Sequence, residues 1–202
     1  MDLLIGTTNP GKLREYSALL EGLPARLLSL RDVGLRSFDV EEPYETFEEN
    51  ALHKATVYAR QTGLLALADD TGLVIDALNG RPGVYSARYA GPEATDRDRY
   101  QRILSEMADV PGGQRAARFV CVLAVVSPDG AISETARGTV EGQIGTEPGQ
   151  GSEGFGYDAI FIPGGYHVPM SDIPLAEKNA LSHRGAAARA LLPKLWHIAE
   201  TN

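Results

Sequence analysis

Two adjacent carboxylates, Asp69 and Asp70, follow the apolar run Leu64 to Ala68 and precede Thr71-Gly72. Acids directly after a buried run are costly unless they are paired or bound to metal. Neighbours on an extended chain point to opposite faces. One Asp can therefore face a ligand while the other caps local backbone. Mg²⁺ needs only one or two carboxylates plus substrate phosphate oxygens, so one well-placed Asp and a second acid would suffice. The competing reading is a solvated turn, since Asp and Gly are common in turns.

A second constellation is Gly6-Thr7-Thr8-Asn9-Pro10-Gly11-Lys12-Leu13. It lies between an expected strand and an expected helix, where backbone N–H groups can meet an anion. It nearly completes the phosphate-loop pattern G-x-x-x-x-G-K-[ST], but Leu13 has no hydroxyl to hold Mg²⁺. We read it as a phosphate-binding loop of another kind, with Thr7, Thr8 and Asn9 as donors and Lys12 as a point charge. An ordinary strand-to-helix turn would look the same.

Three further clusters carry polar chemistry. Glu41-Glu42 precede Asn50 and Lys54, which share one helix face at a spacing of four. Gly151 to Asp158 surrounds Phe155 and Tyr157 with glycines, so a ring could stack on a planar base. Lys178, His183 and Arg184 precede or open a helix, where an anion or a polar ring edge could dock. Each has a plainer reading: a wet helix face, a surface loop, a capped helix start.

The elements that must position these residues follow from periodicity and turn residues. Leu3 to Gly6 reads as a buried strand, Lys12 to about Leu23 as a helix, and Leu27 to Leu30 as a strand. Thr46 and Glu49 form a capping box, opening a helix expected to run to about Gln61 and stop at Gly63. Strand character over Leu64–Ala68 is expected to break at Asp69–Gly72 and resume over Leu73–Leu78. Thr95 opens another helix. Arg118–Val126 and Ile132–Ile144 read as paired strands around the Ser127–Gly130 turn, and a glycine-rich loop leads to Tyr157–Ile162. The last helix begins near Ser182, with Pro193 expected to kink or restart it. Strands and helices mix without strict alternation, which predicts an α/β fold with a mixed sheet.

The 202 residues are 43% hydrophobic and 23% charged, as expected of a globular protein with its own core, taken as one domain over residues 1–202. A net charge of −8 argues against general nucleic-acid binding. A bound cation can still reverse the field in one pocket. Cys121 is the single cysteine, which excludes an internal disulfide and a cysteine-based zinc site. The opening residues lack a signal-peptide pattern and no apolar run suits a bilayer. No membrane association and a cytoplasmic location are the expectation.

Taken in order, the motifs resemble the inosine triphosphatase (Ham1/RdgB-like) family, which hydrolyses noncanonical purine nucleoside triphosphates. The resemblance rests on T-x-N-x-x-K at Thr7–Lys12, F-x-E-N-A at Phe47–Ala51 and A-D-D-[ST]-G at Ala68–Gly72. It continues through G-V-Y-S-A-R-Y at Gly83–Tyr89, G-F-G-Y-D at Gly154–Asp158 and S-H-R-G at Ser182–Gly185. It covers nearly the whole chain. It implies an elongated, strongly curved mixed β-sheet flanked by helices, two lobes with the active-site cleft between them, and a homodimer. It implies that Thr7, Thr8, Asn9, Pro10, Gly11 and Lys12 bind the phosphates. Glu42 and Asp70 would hold Mg²⁺, Asp70 also being the proton acceptor, and Thr71 would touch substrate. Phe155, Gly156, Tyr157, Asp158, Lys178, His183 and Arg184 would bind base and sugar. Asn50, Lys54 and Arg88 would lie near the phosphates. Thr71 replaces the commoner Ser, Glu153 stands where Gly is usual and could alter loop flexibility, Ala159 stands where Pro is usual, and Val168–Leu175 matches loosely.

The implied reaction is attack of water on the α-phosphorus with release of pyrophosphate, Lys12 and Lys54 stabilising the leaving group. Hypoxanthine and xanthine carry a 6-oxo acceptor where adenine carries a donor. Donors from Arg184, His183 or backbone N–H groups would favour the oxo bases. Two other readings stay open. A P-loop-like phosphotransferase is opposed by Leu13. A non-catalytic nucleotide-binding module is opposed by the intact Asp70, Glu42 and Lys12.

Overall fold

The protein is described by a computed structural model covering residues 1–151 and 154–201. Ser152 and Glu153, and with them the expectation about Glu153, lie outside the described residues, as does Asn202. Strand β1 (Asp2–Ile5) pairs in parallel with β2 (Arg26–Ser29) and with β3 (Leu65–Ile75). With β4 (Ala116–Val126), β5 (Ser133–Ile144) and β6 (Phe161–Pro163), the six-stranded order is β2-β1-β3-β4-β5-β6. The β5–β6 pair is antiparallel, so the sheet is mixed, as expected. The helices are α1 (Pro10–Leu19), α2 (Phe47–Thr62), α3 (Asp96–Glu106), α4 (Leu175–Leu181) and α5 (His183–Thr201). Among the described residues, no helix is long and apolar enough to cross a membrane.

The chain divides into two compact units. The first comprises Met1–Asp70, Cys121–Gly138 and Arg184–Asn202; the second comprises Thr71–Val120 and Thr139–His183. Each has its own core. In the first unit, Leu3, Ile5, Leu67, Cys121 and Leu123 pack with Tyr16 of α1, Leu20 at its C-terminal end, and Ala187 and Leu191 of α5. The alternating residues Leu4, Ala66, Ala68, Val122 and Ala124 pack with α2 residues Ala51, Ala55 and Tyr58. The period of two along each strand thus sorts side chains between two helical layers. In the second unit, Leu73, Ile75, Ile103, Met107, Phe119, Ile144, Tyr157 and Phe161 form the core.

Two sequence expectations change. The acid pair does not break the strand: β3 runs without interruption through Asp69-Asp70-Thr71-Gly72, because the apolar residues on both sides continue the pleat and both acids have partners. Helix α5 continues through Pro193 and does not restart there. Leu191, Leu195 and Ile198 are core residues on either side of it, and their burial offsets a proline cost of about 3 kcal/mol. Of the Tyr157–Ile162 segment to which the glycine-rich loop leads, Phe161 and Ile162 enter β6. Tyr157 and Asp158 instead belong to turns, with Asp158 N–H donating to Phe155 O and Ile160 N–H to Tyr157 O. The last helix opens at His183, close to the expected start near Ser182, and Lys178 precedes it in the separate helix α4. The α2 boundaries match closely, with Thr46 accepting from the Glu49 N–H and Gly63 closing the helix in the left-handed conformation.

Candidate active site

In the first unit, alternation along β3 decides what each aspartate meets. Asp69 follows Leu67 onto the α1–α5 face, and Asp70 follows Ala68 onto the α2 face. Asp69 Oδ2 accordingly lies 2.8 Å from Lys12 Nζ, on α1. Burial would push its proton affinity up, but the charges of Lys12, Lys54 and Arg184 outweigh that and hold the carboxyl well below the usual range. Asp69 thus meets an ion pair that strand alternation alone does not foretell, because α1 brings a lysine to that face.

Asp70 has the opposite environment. Asn50 Nδ2, on α2, donates to Asp70 Oδ2 at 3.0 Å. The same amide brackets the loop after Glu42, accepting from Tyr44 N–H at 3.0 Å and donating to Tyr44 O at 3.1 Å. Burial raises the Asp70 pKa to about 6; Lys54 opposes the rise and the nearby Glu42 charge adds to it. Lys54, one helical turn beyond Asn50, pairs with Glu42. Burial favours its neutral form, but Glu42, Asp69 and Asp70 prevail and raise its pKa.

Glu42 and Asp70 therefore offer buried or half-buried hard oxygen donors close enough to repel each other. That is the donor set a divalent cation with oxygen ligands relieves. Among the described residues no group of three or more His, Cys, Asp or Glu side chains is gathered for a metal. A two-carboxylate site completed by substrate phosphates fits that arrangement, whereas a closed protein cage does not.

The loop at Thr7–Lys12 works differently from the anion nest expected of it. Asn9 Oδ1 accepts from the N–H groups of Gly11 and Lys12 at 2.8 and 3.2 Å, and Thr7 Oγ1 accepts from Asn9 N–H at 3.2 Å. Asn9 is thus the N-cap of α1, and Pro10 occupies the first turn, where a missing N–H costs nothing. Beyond that cap, the polar side chains of the loop are the Thr7 and Thr8 hydroxyls and the Lys12 ammonium. Arg184, expected at the base, is placed by the first turn of α5 against Glu15, with Nε 2.6 Å from Oε2 and both side chains buried.

In the second unit, Asp158 organises the aromatic loop. Its Oδ2 accepts from Phe155 N–H at 2.9 Å and from Lys178 Nζ at 2.9 Å. Lys178 is fully buried, and its ammonium sits 5.4 Å from the centre of the Phe155 ring. A side chain at Gly154 would put a Cβ 2.1 Å from Asp158 Oδ2 and 2.8 Å from Lys178 Nζ, so only glycine lets the chain pass that bridge. Tyr157 donates its hydroxyl to Ser86 O at 2.8 Å, and Ser86 Oγ accepts from Leu73 N–H at 2.9 Å. Ser86 is the serine of G-V-Y-S-A-R-Y, which explains that motif as a tie between the strand after Thr71 and the aromatic loop. The His183 ring stacks on Phe119, with centroids 4.6 Å apart. Arg88 lies over the Tyr85 ring at 5.0 Å.

The first unit thus gathers Lys12, Glu42, Asn50, Lys54, Asp69, Asp70 and Arg184, and the second gathers Phe155, Gly156, Tyr157, Asp158 and Lys178. Sequence reasoning missed Glu15 and undervalued Asp69. The spacing of Glu15, three residues after Lys12 on one helix, was the available signal.

A family model described as the Ham1 family matches residues 3–194. A dITP/XTP pyrophosphatase of Geobacter sulfurreducens is 50% identical over 190 residues, covering 94% of each chain. One of Bacillus cereus is 44% identical over 201 residues, covering 98% of this chain and 97% of the other. Among solved structures, a HAM1 protein from Coxiella burnetii aligns with a TM-score of 0.86 and 39% identity over 98% of this chain and 99% of the other.

Proposed function

The chain belongs to the Ham1 family, and from that premise we propose that it hydrolyses deaminated purine nucleoside triphosphates, the inosine and xanthosine forms in ribo or deoxy series, to the monophosphate and pyrophosphate. The observation that carries the reading is the Asp70 environment: a buried carboxylate with its pKa raised to about 6, held by Asn50 and flanked by Glu42 and Lys54. A group poised there is a base matched to neutral pH.

Glu42 and Asp70 would hold Mg²⁺, which supplies charge neutralisation of the phosphates and a more acidic bound water. Asp70 takes the proton as the water oxygen bonds to the α-phosphorus, and the bond from that phosphorus to the bridging oxygen of pyrophosphate breaks. Asn50 keeps the accepting carboxylate oriented. Lys12 and Lys54, now paired with Asp69 and Glu42, supply the positive charge that receives the departing pyrophosphate. The Phe155 ring, set by the Asp158–Lys178 bridge, is the platform for a purine. A homodimer and a cytoplasmic setting complete the proposal; light scattering at assay concentration tests the dimer.

The deciding experiment is a pyrophosphate-release panel with Mg²⁺ over inosine, xanthosine, guanosine and adenosine triphosphates. Rapid release from the first two with little from adenosine triphosphate is expected. Orthophosphate as the first product, or equal rates on all four, would overturn the reading.

A further inference from the structure

We propose that Asp96 is a positioning residue for base recognition: it fixes the Phe155–Asp158 turn from outside and so sets affinity and selectivity for the base. The inference rests on the function proposed above and concerns a residue that lies outside every motif of the family resemblance.

Asp96 is the first residue of α3, but it does not cap that helix. Thr95 does, accepting from Asp98 N–H, while Asp98 Oδ2 accepts from Thr95 N–H at 2.8 Å. The capping box is complete without Asp96. Its two oxygens go elsewhere. Oδ1 accepts from Arg99 Nη1 at 2.6 Å, one turn along the helix, and Oδ2 accepts from the backbone N–H of Gly156 at 2.8 Å, sixty residues away in sequence.

Gly156 needs that hold. It has φ +66° and Gly154 has φ +86°. A turn with two glycines in this region has high conformational freedom when nothing pins it. Three contacts supply the pins. Asp158 takes the Phe155 N–H, Asp96 takes the Gly156 N–H, and the Tyr157 hydroxyl reaches Ser86 O. Asp158 and Tyr157 belong to the turn itself, so of the three side chains only Asp96 comes from another element. The geometry also leaves the Tyr157 N–H as the backbone donor of the turn with no protein acceptor among the described residues. A purine 6-oxo group is the kind of acceptor it would take, and Asp96 holds the Phe155–Gly156 peptide plane, the one immediately before the plane that carries this donor. Loss of the carboxylate frees that plane and blurs the donor, without touching Asp70 or the lysines.

The test compares wild type with Asp96→Ala and Asp96→Asn on inosine and adenosine triphosphates, with hydrogen exchange read at the Gly156 amide. Asp96→Ala is expected to raise KM for inosine triphosphate about tenfold, as for loss of one charge-assisted positioning contact. It should change kcat less than about twofold and leave residual adenosine triphosphate hydrolysis unaltered, because no contact made only in the transition state is lost. The Gly156 amide should exchange faster. Asp96→Asn keeps a side-chain oxygen acceptor and should recover most of the KM effect. A merely structural role would lower activity on both nucleotides together and would not be rescued by Asn. Wild-type kinetics on inosine triphosphate in Asp96→Ala, or unchanged Gly156 exchange, would overturn the proposal. A wild-type protein that releases pyrophosphate from no nucleotide would instead overturn the reading of function, and with it this inference.

Discussion

In the first unit, the cations Lys12, Lys54 and Arg184 face the acids Asp69, Asp70, Glu42 and Glu15. In the second, Lys178 faces Asp158, and the same carboxylate also accepts a backbone N–H. The smaller cluster is closed by that pair, because the carboxylate that meets the ammonium also holds the Phe155 N–H. The larger one carries one acid more than it has cations, and in it Asp70, raised chiefly by burial and further by Glu42, has a pKa of about 6. In the function proposed, a divalent cation would offset that surplus and make the field attractive to a polyphosphate. On that reading the first cluster is left incomplete for ligand, whereas the second holds shape.

The sharpest way to break this comparison is to remove the surplus acid. Asp70→Asn is expected to lower kcat by about 10³, the middle of the range for a positioned general base. It should also stabilise the metal-free protein. The folded pKa of about 6 lies above the unfolded value of about 4. The folded state therefore holds a proton that the unfolded chain has released between those values, and stability falls as pH rises through that window. Near pH 7 the amide variant should gain up to about 3 kcal/mol in urea denaturation without added metal. A variant that is both active and less stable than wild type would refute the contrast.

The closed cluster should respond in the opposite sense. Asp158→Ala leaves Lys178 buried without its carboxylate, and removing one member of a buried pair costs about 3–5 kcal/mol. Thermal unfolding would show it, with kcat on well-folded protein little changed at saturating nucleotide. An unchanged melting temperature would mean that the pair contributes nothing to the loop.

How much of this could be read in the sequence differs between the units. The first-unit cluster was largely legible. Helical spacing put Asn50 beside Lys54, and strand alternation put Asp69 and Asp70 on opposite faces. What alternation could not reveal was the partner on each face, since that depends on α1 and α5 packing on one layer and α2 on the other. Arg184 shows the limit: its type suited a base contact, but nothing local signalled the buried pair with Glu15 that the first turn of α5 makes. In the second unit the aromatic loop was visible as composition only. Its conformation hangs on Asp96, Ser86 and Lys178, each far from it in sequence, and no local pattern encodes such pairings.

The pH profile sharpens the contrast at smaller amplitude. The working form of Asp70 is the carboxylate, so kcat/KM should fall as pH drops through about 6, approaching tenfold loss for each further unit. More Mg²⁺ should move that midpoint down, since a cation favours the ionised acid. A profile flat from pH 5 to 8 (roughly one unit either side of the expected midpoint and beyond) would place the proton acceptor elsewhere.

The smallest expected effect comes from Phe155. Its ring lies over a buried lysine that is already neutralised by Asp158, so exchange of the ring should disturb little of the fold. What it removes is the stacking face, and base stacking on an aromatic is worth about 1–3 kcal/mol. Phe155→Leu keeps an apolar contact and should recover part of that, so a KM increase of about fivefold is expected, with kcat unchanged. Inosine and adenosine triphosphates should be affected alike, because every purine has a π-face. That equality distinguishes the platform from the loop's polar contacts: a ring change that altered selectivity would mean that Phe155 also aims the donors around it, and that shape and recognition in the second unit are not separate functions.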